Sequence, residues 1–225
     1  MARHGMQTQG LQVELAGVAV WLLPDRALWW PDQGILVVAD LHAGKAAHFR
    51  KAGIAVPASV DQGDILRLES LLIRYAPSEV VFLGDLFHSE HNASWASFTA
   101  LTTSWQGCSF RLVRGNHDIL AAEFYREAGI EVPGLVLDRG PFRFVHDLAD
   151  GGEGGRYVLA GHLHPGIRLR GRGRQSLRLP CFCFGSQSGL LPAFGGFTGK
   201  ARVAAGAGDR LYAVLPDRVL AVEVG

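Results

Sequence analysis

The sequence predicts an α/β fold built as a two-sheet β-sandwich flanked by helices. Three observations point to it. Apolar runs of strand length recur along the chain, helical patterns fall between the central runs, and both ends are rich in strand-like runs. With 225 residues and 48% hydrophobic content, the chain can fill one full core. A single domain over residues 11–225 is therefore expected, preceded by a frayed, disordered polar N-terminus over residues 1–10.

The strand-like runs lie at residues 11–15, 18–23, 35–39, 80–83, 110–113, 142–145 and 157–160, with later ones at 177–184, 211–215 and 219–224. Trp29 and Trp30 close a further early strand. The helical patterns are 58–75, where Ile65, Leu68, Leu71 and Leu72 fall on one face, then 93–104, and 119–128 following Asp118. The stretch DGGEGG at 150–155 is too short for a domain linker and reads as a surface loop between strands.

Composition excludes several classes of protein. Twenty-two Lys and Arg against 21 Asp and Glu leave a formal charge of +1, so any contact with a polyanion must be local. Residues 1–10 contain no apolar core of a signal peptide, and no run approaches the ~20 residues that cross a bilayer. Cys108, Cys181 and Cys183 lack metal-binding spacing and read as buried, reduced thiols. The expectation is a cytoplasmic protein without membrane attachment.

The chemistry collects at one recurring place, just after an apolar run. Ile35-Leu-Val-Val-Ala39 leads into Asp40-Leu-His42, and Val80-Val-Phe-Leu83 into Gly84-Asp85. Phe110-Arg-Leu-Val113 leads into Arg114-Gly-Asn-His-Asp118, Phe142-Arg-Phe-Val145 into His146, and Tyr157-Val-Leu-Ala160 into Gly161-His-Leu-His164. Ligands of open α/β sheets bind outside the carboxyl ends of strands, so these five segments can converge on one crevice. In Asp40-x-His42 and His162-x-His164, an extended backbone would point both side chains the same way. Gly84, Gly115 and Gly161 stand beside these residues, where close backbone approach is needed.

Any one of these residues alone is better read as a turn or strand-end residue. Seven in one order are not. In the order DxH, GD, GNHD, His, GHxH, from Asp40 to His164, the sequence resembles the calcineurin-like metallophosphoesterases. The resemblance implies that Asp40, His42 and His164 bind one metal and Asn116, His146 and His162 a second, with Asp85 bridging. The donors are carboxylate, amide oxygen and imidazole without thiolate, which suits two divalent ions, Mn first and Fe or Zn as alternatives. Such a pair can activate water and stabilise the attacking and leaving oxygens at phosphorus. The resemblance further makes His117 the general acid and Asp118 the residue that orients its imidazole.

A narrower resemblance extends over most of the chain. Ala39-Asp-Leu-His-Ala-Gly-Lys45, Phe49-Arg50, Gly53, Pro57, Gly84-Asp-Leu-Phe-His-Ser89, Gly161-His-Leu-His-Pro165 and Leu191-Pro-Ala-Phe-Gly-Gly-Phe-Thr-Gly199 are similar to the bacterial DNA-ligase-associated metallophosphoesterases, which are DNA damage response endonucleases. That implies a phosphodiester substrate, DNA, and partners in repair that include a ligase. A homodimer is left open. His88 stands where many members of the wider superfamily carry Asp or Arg, and a role at the substrate or behind the ligands is expected of it.

Lys45 and Arg50, on a short helix after His42, and Arg114 are candidate phosphate contacts; a solvated helix face is the competing reading of the first two, and His48 and His91 read as ordinary surface residues. Arg168 and Arg170 open the densest positive cluster, 168–174, which reads as a hairpin and either tracks a phosphate backbone or keeps an edge soluble. The segment 194–199 either covers the site or merely crosses the molecule. Two other functions compete with a nuclease: a phosphatase or pyrophosphatase for nucleotides or phosphoproteins, and a non-catalytic scaffold.

Overall fold

The computed structural model describes residues 10–51, 53, 55, 59–87, 93–171, 175–202, 206 and 208–223. The expected frayed N-terminus, except Gly10, lies outside them. Two mixed sheets pack face to face. The first holds β1 (Leu11–Leu15), β2 (Val18–Leu22), β3 (Ala27–Trp30), β4 (Ile35–Ala39), β5 (Glu79–Leu83), β6 (Ser109–Val113) and β7 (Ile130–Gly134), in that spatial order. β1 to β4 pair antiparallel, and β4 to β7 pair parallel.

The second sheet holds β8 (Val136–Arg139), β9 (Phe142–Val145), β10 (Tyr157–Ala160), β11 (Pro165–Arg170), β12 (Ser176–Phe184), β13 (Ser188–Leu190), β14 (Ala201–Arg202), β15 (Arg210–Val214) and β16 (Val219–Val222). Its order is β14-β11-β12-β13-β10-β9-β8, with β15 and β16 attached through β12. β9, β10 and β13 are parallel neighbours, whereas β11 and β12 form an antiparallel ribbon.

The apolar runs are uninterrupted because the central strands are covered on both faces. Leu36 and Val38 of β4 and Val80 and Phe82 of β5 face a cluster built with α2 (Ser59–Tyr75), α3 (Ala93–Ser104) and α4 (Ala122–Glu127). Their neighbours Val37, Ala39, Val81 and Leu83 face the second sheet, against Phe142, Phe144, Leu159, Phe182 and Phe184. Cys183 alternates with those phenylalanines and lies in a smaller cluster on the outer face. Cys181 and Cys183 are buried, Cys108 is half-buried, and all three are free thiols. Trp95 is core, packed on Phe87 at a centroid distance of 4.5 Å.

Two local expectations differ from the observed elements. The helix expected at 119–128 is shorter, because Asp118 does not cap it: its carboxylate accepts from the amides of Gly115 in its own loop and Leu86 in another, and the helix starts after Ala121 with no side-chain cap. The strands β7, β8, β13 and β14 were not anticipated. Pro133 and Gly134 interrupt the first, and the other three are only two to four residues long. No described helix is long and apolar enough to cross a membrane.

Candidate metal centre

β4, β5 and β6 are parallel neighbours in one sheet, and β9 and β10 in the other. Their carboxyl ends meet where the sheets face each other, and all seven expected ligands are brought together there. His42 Nε2 lies 3.3 Å from His164 Nε2 and 3.6 Å from Asp85 Oδ2. His164 Nε2 is 3.4 Å from Asp40 Oδ1. On the other side, His146 Nε2 is 3.0 Å from Asn116 Oδ1, 3.0 Å from His162 Nδ1 and 3.5 Å from Asp85 Oδ1. Asp85 thus offers one oxygen to each half.

The backbone carries a signal that side-chain lists do not. Eight described non-glycine residues have positive φ, and five of them are Asp40, His42, Asp85, His162 and His164. Each such residue costs about 1–3 kcal/mol and persists only where its surroundings fix it. Here they do. The His42 amide donates to Asp85 O and the Ala43 amide to Leu86 O, both at 2.9 Å, which locks the first two loops together. The His162 amide donates to Asp40 Oδ2 at 3.0 Å, and the His117 amide to Asp85 Oδ1 at 2.9 Å. Gly84, with φ +74, has the His146 ring where a Cβ would stand. A Cβ on Gly161 would lie 2.5 Å from Asp40 Oδ2.

Asp118 is buried, and its oxygens accept from the amides of Leu86 at 3.0 Å and Gly115 at 2.9 Å. It therefore ties the second and third motif loops together. Burial, reinforced by the Asp85 charge, pushes its carboxyl up to about 6. His117 is half-buried, with its ring centroid 5.5 Å from that of His42.

Lys45 opens α1 (Lys45–Lys51) close enough to feel Asp85 and Asp40; burial lowers its pKa, and the two carboxylates oppose the shift. Arg50 is half-buried five positions further along the same helix. Arg114 follows β6 and lies within electrostatic reach of Tyr125. Arg168 is exposed on β11. His88 and the side chains of His48 and Arg170 fall outside the described residues.

Sequence reasoning missed the brace behind Asp40. The segment 193–196 lies along the end of β4: the Phe194 amide donates to Ala39 O at 2.7 Å and the Gly195 amide to Asp40 O at 3.1 Å. A Cβ on Gly195 would come within 2.5 Å of Leu41 O. Asp64 of α2 accepts the Gly196 amide at 2.8 Å, Arg67 donates to Phe194 O and stacks on the Phe194 ring, and Arg26 donates to Gly195 O at 3.2 Å. The signal was present in the sequence. Asp64 is spaced with Leu68, Leu71 and Leu72, which puts a carboxylate on the buried face of a helix.

The donors fit divalent cations: oxygen and imidazole ligands, two buried carboxylates, and ligand atoms of Asp40, His42 and His164, or of Asp40, Asp85 and His146, within 4.8 Å of one another. Residues 34–178 match the model of the calcineurin-like phosphoesterase family. The Pseudomonas putida nuclease MPE is 33% identical, with a TM-score of 0.80 over 95% of this chain and 100% of that one. The E. coli phosphoesterase Yfce gives 12% identity and a TM-score of 0.40, covering 79% and 86% of the two chains. A predicted phosphoesterase from Streptococcus pneumoniae gives 14% and 0.33, covering 84% and 95%. No curated protein sequence matches. The chain therefore belongs to the calcineurin-like phosphoesterases and is a metal-dependent phosphoesterase.

Proposed function

We propose that this enzyme cleaves phosphodiester bonds in DNA with two divalent ions held between its sheets. The observation that carries the proposal is Asp85, which turns one oxygen to His42 and the other to His146. Asp40, His42 and His164 would hold one ion, Asn116, His146 and His162 the other, and Asp85 both. Bound there, two cations would lower the pKa of a shared water and neutralise charge at the phosphate. His117 stands at the rim of the cluster, where it can protonate the leaving oxygen. Lys45 places a cation beside both carboxylates, suited to a phosphate oxygen. Arg50, Arg114, Arg168, Arg170 and His88 are the further substrate contacts of this reading.

DNA is favoured over a small phosphate ester because the similar Pseudomonas putida protein is a nuclease. A repair setting with a ligase among the partners, Mn as the metal and a cytoplasmic location belong to the same reading. The test is turnover with Mn, Fe or Zn of bis-p-nitrophenyl phosphate, p-nitrophenyl phosphate, dinucleotides, and single- and double-stranded DNA. Cleavage of diesters and DNA should fall roughly 10²–10⁴-fold in His117→Ala with metal content unchanged. Turnover of monoesters alone would replace the nuclease by a phosphatase, and no turnover at all would revive the scaffold.

A further inference from the structure

β11 leaves the metal centre directly after His164, and with β12 it forms a ribbon of two unlike faces. Ile167 stands opposite Leu179 and Leu169 opposite Leu177, which makes one face apolar. On the other, Arg168 stands directly opposite Arg178 and Gly166 opposite Pro180. Residues two apart share a face, so the cationic face continues along β12 to Phe182 and Phe184. Those rings lie in the core between the sheets. The arginines therefore extend the inner face of the second sheet, the face on which the metal centre also opens.

A third cation joins them from another segment. The Ala201 amide donates to His164 O at 3.0 Å, which fixes Lys200 beside the last metal motif, and Lys200 Cβ packs where a Gly166 Cβ would be. Burial lowers the Lys200 pKa, and the charges of Arg26 and Arg178 lower it further. Among the described residues, Arg168, Arg178 and Lys200 have no ion-pair partner, whereas Arg67, Arg111, Arg139 and Arg143 each face a carboxylate. Like charges directly opposite each other weaken an antiparallel pair. Folding alone supplies no reason for this arrangement, but a polyanion lying across it does.

We propose that this face, carried by Arg168, Arg178 and Lys200, is a track for a nucleic-acid phosphate backbone leading to the metal centre. It rests on the phosphodiesterase reading for what happens at the end of the track. Four strand residues separate His164 from Arg168, roughly 13 Å. That is the axial length of about four nucleotides in one strand of a duplex. The contacts are charge to phosphate, so the track is indifferent to base sequence and sensitive to salt.

The test compares wild type with Arg168→Ala/Arg178→Ala and Lys200→Ala, with Arg156→Ala before the far end of β10 as the charge control. Fluorescence anisotropy of a labelled oligonucleotide, in EDTA and over a range of salt, reads binding without catalysis. The double variant should bind roughly tenfold more weakly, and its log–log salt slope should shrink by about 0.7–0.9 for each charge removed. Lys200→Ala should show about half that change in slope, and Arg156→Ala none. With metal, turnover of bis-p-nitrophenyl phosphate should be the same in wild type and the Arg156→Ala control, whose native partner is Asp138. The advantage of wild type on oligonucleotides should vanish below about four nucleotides on the bound side. Unchanged affinity and slope in both track variants would overturn the proposal, as would an equal loss in Arg156→Ala. If the anisotropy changes appear but no phosphoester is cleaved, the track stands and the phosphodiesterase reading falls.

Discussion

The parallel strands β5 and β6 end in two chemically opposite regions. At their amino ends, Glu79 is nearly buried and accepts from Arg139 Nη2 at 2.8 Å and Nε at 3.0 Å, while Arg111 bridges Glu79 and Glu131. There Arg111 and Arg139 meet Glu79 and Glu131, none of which has a positive φ. At their carboxyl ends, carboxylates and imidazoles crowd within hydrogen-bonding distance, and the loops sit at positive φ. One end is built to hold the two sheets together, since Arg139 comes from β8 and Glu79 from β5. The other holds strain and lone pairs that a cation would use.

Variants should separate these tasks cleanly. The largest effect is expected from Asp85→Asn, which keeps an oxygen for the His117 amide but removes the shared charge. Turnover of bis-p-nitrophenyl phosphate should fall at least about a thousandfold and bound metal should be lost. Calorimetry of the metal-free variant should show Tm equal to wild type or higher, because Asn tolerates positive φ better than most residues. Equal metal content in variant and wild type would remove Asp85 from the ligand set.

Glu79→Gln is the mirror image. The arginines it pairs with are 25% and 31% exposed, so the loss should be about 2 kcal/mol and not that of a fully buried pair. Turnover per folded molecule should be unchanged. A drop in turnover at full folding would mean that the two ends are coupled.

Asp64→Asn tests the brace that joins the regions. It weakens the hold on Gly196 and hence on the Asp40 backbone, so metal affinity should fall roughly tenfold with little change in global Tm. Titration calorimetry with Mn would register it. An unchanged affinity would make the brace structural only.

The smallest effect is the proton on Asp118. Its folded pKa, about 6, lies above the ordinary 3.8, so the native metal-free protein holds this proton more tightly than the unfolded chain. The associated stability is complete below 3.8 and is lost as pH rises through about 6. The Tm difference between metal-free wild type and Asp118→Asn should therefore shift in favour of wild type as pH falls across that window. A difference that stays flat with pH would mean that Asp118 is already ionised throughout.

The order of motifs made the clustering of the candidate ligands legible, because each stands after an apolar run long enough to be a strand, and a strand end has one place to point. The same rule failed at residues 119–128. Asp118 has the residue type of a helix cap, yet its oxygens serve Leu86 and Gly115, which are distant or turned back in sequence. Asp64 could be read as a carboxylate on a buried helix face, but its partner Gly196 could not, since it lies more than a hundred residues away.

By itself, then, the sequence determined the alternation of strands and helices, the apolar run Ile35-Leu-Val-Val-Ala39, and the seven candidate ligand side chains, because periodicity and residue chemistry are local properties. Only the tertiary structure decided that Asp85 faces both halves of the centre, that the ligand loops are held at positive φ, and that Arg168, Arg178 and Lys200 share one face. Those facts depend on register between strands and on contacts between remote segments, and no local pattern encodes either.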